Sequence, residues 1–148
     1  MIKVVLDTNV LISALLKKGS TPAMIVSLLR KKQFLLCLSQ EILEEYKAVL
    51  ERNRFSDLRK RKGKEIAELF AQIEREALWV TPKASGETAV ADPDDAKFVQ
   101  SARDARADFL VTGNIKHFPL KKFEDTHVVT PKEFMEHMVK VMLVSRTR

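Results

Sequence analysis

The sequence predicts an α/β domain in which helices cover a parallel β-sheet, and two observations support this class. First, short apolar segments alternate with segments of helical character along the chain, which is the element order of such folds. Second, segments such as residues 4–6 and 34–38 are apolar at every position, as strands are when both faces of their sheet are buried. A content of 45% hydrophobic and 31% charged residues excludes a wholly disordered chain.

The individual elements follow from local patterns. Strands are predicted at residues 2–6, 34–38, 78–80, 109–111 and 128–129. Helices are predicted at residues 10–16, 21–32, 40–51, 64–77 and 92–105, and from residue 131 onward. Thr21 as N-cap, with proline at the first helical position, begins the second helix, and Ser39 caps the third. Thr130 and Glu133 form a capping box for the last helix.

The composition limits the class of protein further. A chain of 148 residues is expected to form one domain over residues 1–148. The single cysteine, Cys37, allows no internal disulfide, and its apolar surroundings place it in the core. No apolar stretch approaches the roughly 18 residues of a membrane span. Asp7 and Asn9 interrupt the N-terminal apolar run, unlike a signal peptide. The expected location is therefore cytoplasmic.

The net charge and its distribution point to a polyanionic partner. The chain carries a formal charge of +6 and has a pI near 9.5, which favours nucleic acid through neutralisation of phosphates. Between residues 52 and 64, seven basic side chains stand against one acid. This basic run either contacts nucleic-acid phosphates or is a solvated loop, and both interpretations stay open. Its basic members are Arg52, Arg54, Arg59, Lys60, Arg61, Lys62 and Lys64.

Three carboxylates from separate elements are expected to point inward. Asp7 directly follows the first strand and is the only acidic residue before Glu41. Glu45 lies at the edge of the apolar stripe of the third helix, whereas Glu44 points away from that stripe. Asp95 falls on the buried face at the start of the fifth helix. Simpler explanations stay open at this point: a helix cap for Asp7 and a solvent-facing edge for Glu45.

Converging carboxylates repel each other, and a divalent cation is the simplest compensation. All-oxygen ligands suit Mg²⁺ or Mn²⁺. The three histidines, His117, His127 and His137, lack the spacing of zinc ligands and are expected at surface or loop positions. In parallel sheets, ligands bind beyond the carboxyl ends of the strands, where Asp7 and Thr112 fall. A carboxylate-bound metal in a basic protein indicates hydrolysis of phosphodiester bonds.

Four segments of the chain then resemble one known family. They are VLDTNVLI at residues 5–12, SQEILEEY at 39–46, DPDDAKF at 92–98 and DFLVTGN at 108–114. In this order they resemble the four motifs of PIN-domain ribonucleases, and the resemblance spans nearly the whole chain. Its length and pattern are most similar to VapC-type proteins, the toxin components of toxin–antitoxin pairs.

The resemblance implies a Rossmann-like, three-layer α/β/α fold and endonuclease activity on RNA with Mg²⁺ or Mn²⁺. It implies that Asp7, Glu45 and Asp95 are the catalytic and metal-binding acids, with Asp92 as a fourth ligand or a substitute. It also implies a homodimer and inhibition by a small antitoxin protein that covers or enters the site. The residues expected to bind RNA are Arg52, Arg54, Lys60, Arg61 and Lys62.

The remaining motif residues are expected to support the acids. The resemblance implies that Thr8 and Asn9 orient Asp7 and that Thr112 hydrogen-bonds within the pocket. Many family members carry aspartate where this chain has Asn114. Asparagine keeps a neutral oxygen that can orient a water molecule, but it removes one negative charge and so disfavours a second metal ion.

Other functions compete with the ribonuclease hypothesis. A PIN-like module that binds RNA or a protein without cleavage is the main alternative, and Asn114 and the basic run both motivate it. A phosphoryl-accepting signalling domain would need an acid doublet after the first strand. An aspartyl phosphatase would need aspartate two residues after Asp7, where Asn9 stands.

Overall fold

A computed structural model describes residues 1–81, 93–118 and 120–146. Within these ranges, six strands form one sheet in the order β3-β2-β1-β4-β6-β5. All pairings in this sheet are parallel except β5 with β6, which is antiparallel. The strands are β1 (Lys3–Leu6), β2 (Leu35–Leu38), β3 (Leu78–Trp79), β4 (Phe109–Val111), β5 (Lys122–Phe123) and β6 (Thr126–Val129). The predicted α/β class is confirmed, but the sheet is mixed rather than purely parallel.

Helices flank this sheet, as expected for strands that are apolar on both faces. They are α1 (Thr8–Leu16), α2 (Thr21–Arg30), α3 (Gln40–Leu50), α4 (Ser56–Glu76), α5 (Ala96–Ala105) and α6 (Pro131–Arg146). Helix α5 packs on the three central strands β1, β2 and β4, and α6 packs on β4, β6 and helix α2. Helix α3 contacts both α1 and α5. None of the helices in the described part of the chain is both long and apolar enough to span a bilayer.

Two of the three predicted N-terminal helix caps are correct. The Ser39 hydroxyl accepts a hydrogen bond from the Ile42 amide at 3.2 Å. Thr130 and Glu133 each accept from the other's backbone amide, at 3.1 and 3.0 Å, which is the predicted capping box. The start of α2 differs by one residue. Its N-cap is Ser20, whose hydroxyl accepts from an amide three residues on, so Thr21 is already helical.

From Ser56 onward the basic run is helical, which corrects its interpretation as a solvated loop. Helix α4 begins at Ser56 rather than near residue 64, after a short 3₁₀ turn (Asn53–Phe55). Phe55 and Leu58 are buried and anchor this end of the helix to the core. A break at Lys62, with φ −123° and ψ 18°, divides α4 at the end of the run.

Strand β1 lies near the middle of the sheet and determines where the polar residues meet. It pairs with β2 on one side and β4 on the other, and Val4, Val5 and Leu6 are completely buried. Because these three strands are parallel, their carboxyl ends lie along the same edge of the sheet. Asp7 and Thr112 follow β1 and β4 directly at this edge.

Candidate functional site

Asp7 is a buried carboxylate at the junction of β1 and α1. It occupies the N-cap position of α1 but makes no side-chain capping hydrogen bond. Its Oδ2 atom instead accepts a hydrogen bond of 2.7 Å from the Thr112 hydroxyl, and both side chains are buried. The explanation of Asp7 as a helix cap is therefore incomplete, because its carboxylate accepts a hydrogen bond from Thr112, which follows a different strand.

The surroundings of Asp7 oppose its negative charge. Burial is the largest cause that raises the pKa of Asp7, and the nearby Glu45 carboxylate raises it further. The hydrogen bond from Thr112 and the backbone amides of Thr8 and Asn9 lower the pKa, but the net direction is upward. A buried acid beside a second acid is a place where a cation is electrostatically favoured.

Glu45 is held in position by partners at both of its oxygens. Its Oε2 atom accepts a hydrogen bond from the Thr8 hydroxyl, and its Oε1 atom lies 2.5 Å from the ammonium of Lys97. Helix α3 is fixed at this point because the Tyr46 hydroxyl donates to the backbone carbonyl of Leu6 at 2.6 Å. Glu45 is half-buried, and Glu44 is exposed, so the predicted orientation of both is confirmed.

Asp95 ends a 3₁₀ turn (Pro93–Asp95) just before α5 and is buried, whereas Asp94 is exposed. The orientation predicted for both residues is therefore confirmed. The Oδ2 atom of Asp95 lies 3.2 Å from Nδ1 of His117. Asp92, the predicted fourth acid, lies outside the described residues.

The expected convergence is seen for two acids. Asp7 and Glu45 are close enough for the charge of one to raise the pKa of the other. Over residues 1–81, 93–118 and 120–146, however, no group of three or more His, Cys, Asp or Glu side chains is gathered closely enough to hold a metal ion. The described acids thus form a pair, with Asp95 attached to His117 and Glu45 attached to Lys97.

The predicted supporting residues divide into three kinds. Thr112 contacts Asp7, as expected of a residue that hydrogen-bonds within the pocket, and its hydroxyl also accepts from the Asn114 amide at 3.0 Å. Thr8 differs from expectation, because its hydroxyl contacts Glu45 rather than Asp7. Asn9 and Asn114 have exposed side chains, so they lie at the surface rather than inside the pocket.

Several cations of the basic run hold the protein itself together. The guanidinium of Arg59 donates to the carbonyls of Leu50 and Arg52 at 2.5 and 2.9 Å. Arg61 pairs with Asp57 at 2.8 Å. Lys62 donates to the carbonyl of Leu15 at 3.1 Å, and the Arg54 guanidinium lies 4.7 Å from the Phe55 ring centroid. Arg54, Arg61 and Lys62 were all predicted to bind RNA.

Arg52, Arg54 and Lys60 are exposed and are the predicted RNA-binding residues with the greatest access to solvent. The side chain of Arg61 is also more than half exposed despite its ion pair with Asp57. Lys62 is only partly exposed, because it packs toward the end of α1.

Two residues of the site were not predicted. Lys97 is in the first turn of α5, where the helix dipole disfavours a positive charge. That mismatch is a signal in the sequence that its side chain has an acidic partner elsewhere. His117 was expected at an ordinary surface or loop position. It belongs to a 3₁₀ turn (Ile115–His117) beyond β4 and contacts Asp95, and no pattern in the sequence marks that contact.

Comparison with known proteins gives a consistent result for fold and family. The sequence model of the PIN domain matches residues 3–116. An uncharacterized protein of Methanocaldococcus jannaschii is 31% identical over 151 residues, covering 94% of this chain and 93% of that relative.

Among solved structures, the crystal structure of VapBC2 from Rickettsia felis, bound to a DNA fragment from their promoter, has a similar fold. The TM-score is 0.57 at 18% sequence identity, and the match covers 87% of this chain and 98% of that chain. At this level of identity the likeness concerns the fold alone.

Proposed function

The chain belongs to the PIN domain family, and from this premise we propose that it is a metal-dependent endoribonuclease that hydrolyses RNA phosphodiester bonds. PIN domains are in general nucleases, which supports a hydrolase at the coarse level. The finer features, which are the metal requirement and the RNA substrate, are part of the proposal.

The observation that carries the proposal is the state of Asp7. Asp7 is buried beside a second acid and its pKa is raised, so it is costly to keep ionised. Groups perturbed in this way are concentrated at functional sites. Asp7 is also held at the carboxyl edge of the sheet by Thr112, where α/β proteins bind their ligands.

The donor chemistry of the described residues fits a hard divalent cation. Mg²⁺ is commonly bound by one or two carboxylates, with water and substrate phosphate oxygens completing its coordination. Asp7 and Glu45 would provide the two carboxylates, with Asp95 and Asp92 as further acids. When bound, Mg²⁺ or Mn²⁺ supplies charge stabilisation at the scissile phosphate and makes water a stronger nucleophile.

The residues of the chain itself perform the positioning. Thr112 holds the Asp7 carboxylate, and Thr8 holds Glu45. Asn114 and Asn9, both exposed beside these residues in sequence, are available to the substrate. Outside the acidic pair, the exposed members of the basic run would bind the RNA backbone through its phosphates.

We extend the proposal to a toxin of the VapC type. The four motifs at residues 5–12, 39–46, 92–98 and 108–114 carry this resemblance. We propose a homodimer as the assembly and, as partner, a small antitoxin protein that blocks the acidic site. The fold that the chain shares with VapBC2 is compatible with this role.

A second candidate is a PIN-like module that binds RNA or a protein without cleaving RNA. The ion pair between Lys97 and Glu45 favours it, since one of the two neighbouring acids already has a positive partner. Asn114 favours it as well, because it stands where many members have a further acid.

The deciding experiment compares matched variants in cleavage of a labelled RNA pool with Mg²⁺, Mn²⁺ or EDTA. Glu45→Gln preserves the size of the side chain and removes its charge, and Glu44→Gln makes the same change at the exposed neighbour. We expect Glu45→Gln to reduce the rate by more than the 10–100-fold typical of losing an outer partner of a metal ligand. Glu44→Gln should cleave at the wild-type rate, and EDTA should abolish cleavage.

Cleavage that persists in EDTA, or that is equal in the two glutamine variants, would exclude the metal-dependent site. RNA binding without cleavage, in the presence of either metal ion, would favour the non-catalytic module. Circular dichroism of each variant establishes that the fold is intact.

A further inference from the structure

The Lys97–Glu45 pair places a positive charge of the protein inside the proposed metal site. The distance between Nζ of Lys97 and Oε1 of Glu45 is 2.5 Å, and the two side chains are 13% and 25% exposed. The other carboxylate oxygen of Glu45 accepts a hydrogen bond from Thr8. Both oxygens of Glu45 are therefore engaged before any external cation arrives.

The position of Lys97 in its own helix makes this contact specific. Lys97 is the second residue of α5, at the helix end where the backbone dipole disfavours a positive charge. Helix α5 is packed against β1, β2 and β4, so the base of the Lys97 side chain is fixed relative to Asp7. The negative charge of Glu45 offsets the unfavourable interaction between the Lys97 ammonium and the dipole of α5.

The effect on the acidic pair follows from the charges. Glu45 raises the pKa of Asp7, so the two carboxylates repel each other, and the Lys97 ammonium offsets part of this repulsion. A divalent cation offers the same compensation to the same oxygens. The ammonium and the metal ion therefore compete for Glu45.

Resting on the proposed function, we propose that Lys97 is a resident cation that occupies Glu45 in the metal-free protein and must leave it when a divalent ion binds. Lys97 thereby lowers the affinity of the site for metal. It also keeps the acidic pair stable when no metal is bound. Once displaced, its ammonium lies beside the metal site and is available to a phosphate of the substrate.

The test measures Mn²⁺ affinity of the full chain by isothermal titration calorimetry. Lys97→Met removes the charge and keeps much of the side-chain volume, and Lys97→Arg keeps the charge. Lys47→Met is the matched control, because Lys47 is an exposed lysine of α3 that pairs with Glu74 away from the site. Lys97→Gln is a second neutral variant in case Lys97→Met does not fold.

We expect the neutral Lys97 variants to bind Mn²⁺ about tenfold more tightly than wild type, because a positive charge within a few ångströms of the ion is removed. Lys97→Arg and Lys47→Met should stay within about twofold of wild type. In a Glu45→Gln background, Lys97→Met should no longer increase the affinity, since the group for which both cations compete is gone. Without metal, Lys97→Met should unfold at a lower temperature than wild type, and saturating Mn²⁺ should raise its unfolding temperature by more than that of wild type.

Three results would overturn the inference. The first is a Mn²⁺ affinity that Lys97→Met leaves unchanged while wild type binds the ion. The second is an equal gain in affinity for Lys97→Met and Lys47→Met, which would reflect net charge alone. The third is an absence of Mn²⁺ binding by wild type and all variants, and only this result also removes the proposed metal-dependent function.

Discussion

At the scale of single residues, the ionised form of Asp7 destabilises the fold. Asp7 is buried at 5% exposure beside another acid, an arrangement that no packing requirement explains. The Thr112 hydroxyl and nearby backbone amides recover part of the cost. Natural proteins commonly keep such unfavourable groups where function needs them, and removing the group then stabilises the fold.

This leads to a prediction for Asp7→Asn, which keeps the shape of the side chain and an oxygen for Thr112. Because burial raises the pKa of Asp7 in the folded protein, folding favours its protonated form. That contribution to stability is complete below the ordinary value of 3.8 and is lost as the pH rises through the raised pKa. At pH 7 without metal, Asp7→Asn should therefore be more stable than wild type, by about 1 kcal/mol.

The measurement is the unfolding temperature of both proteins in EDTA from pH 4 to pH 8. The advantage of Asp7→Asn should be smallest at pH 4 and increase with pH. Glu68→Gln, which neutralises an exposed acid of α4, is the control for a change in net charge alone. An advantage of Asp7→Asn that is constant with pH would show that the charge of Asp7 is not its cause.

At the scale of elements, the basic side chains of α4 form two groups, one that binds backbone carbonyls of the protein and one that is exposed to solvent. Arg59 and Lys62 tie α4 to the ends of α3 and α1 through backbone carbonyls. Lys60 and Lys64 are exposed, and neither makes a hydrogen bond or ion pair in the part of the chain that the structure describes. Of these four residues, only Lys60 and Lys64 are fully available to an RNA backbone.

We therefore predict different effects for the two kinds of lysine. Replacing Lys60 and Lys64 together by glutamine should weaken RNA binding and reduce the slope of log K against log salt by about 1.4, or about 0.7 for each lost phosphate contact on a single strand. Stability should not change. Lys62→Met should instead lower the free energy of unfolding by about 1 kcal/mol, because it loses the hydrogen bond to Leu15.

Filter binding over a range of salt concentrations and thermal unfolding separate these effects. If the double glutamine variant binds RNA with the wild-type salt dependence, the exposed lysines of α4 are not part of the RNA interface.

The same elements show what the sequence can and cannot predict. Ser39 and the Thr130–Glu133 box were predictable because a cap depends on residues within one turn. Strand β5 was missed because a two-residue edge strand carries no periodicity. The early start of α4 was missed because a charged run obscured the two apolar anchors, Phe55 and Leu58.

The sequence predicts which side chains of the site point inward, but it does not predict which of them pair with each other. The inward orientation of Asp7, Glu45 and Asp95 follows from helical and strand periodicity, which the sequence contains. Periodicity does not predict that Lys97 is the partner of Glu45, because the two residues are 52 positions apart along the chain. Tertiary packing alone decides that the two meet.

At the scale of the whole molecule, the sheet brings β1, near the N-terminus, together with β4, which comes much later in the chain. Strand β1 receives its second neighbour only from β4, about one hundred residues later. The start of β1 is fixed there by three contacts: the Lys3 amide donates to the Asp108 carboxylate at 2.8 Å, the Asp108 amide donates back to the Lys3 carbonyl, and the Lys3 ammonium donates to the Ala105 carbonyl.

This architecture predicts unfolding in one cooperative transition. Asp108→Ala removes the carboxylate that accepts the Lys3 amide and should cost about 2 kcal/mol, the range for a hydrogen bond to a charged group. The unfolding temperature should fall by about 6 °C for a chain of this size. Circular dichroism and the fluorescence of Trp79, the single tryptophan, which lies in edge strand β3, should report the same midpoint.

Different midpoints for the two probes would show that β3 detaches before the core unfolds. Glu68→Gln, which changes an exposed glutamate of α4, serves as the control and should leave both midpoints unchanged.

The bond between Asp7 and Thr112 also has a consequence for the timing of synthesis. Its two partners are 105 residues apart, so at about 5–20 residues per second a ribosome needs roughly 5–20 s between them. Throughout that interval Asp7 lacks its hydroxyl partner, and β1 lacks the strand that completes its burial. A nascent chain therefore cannot complete the Asp7–Thr112 contact until about three quarters of its 148 residues have been synthesised.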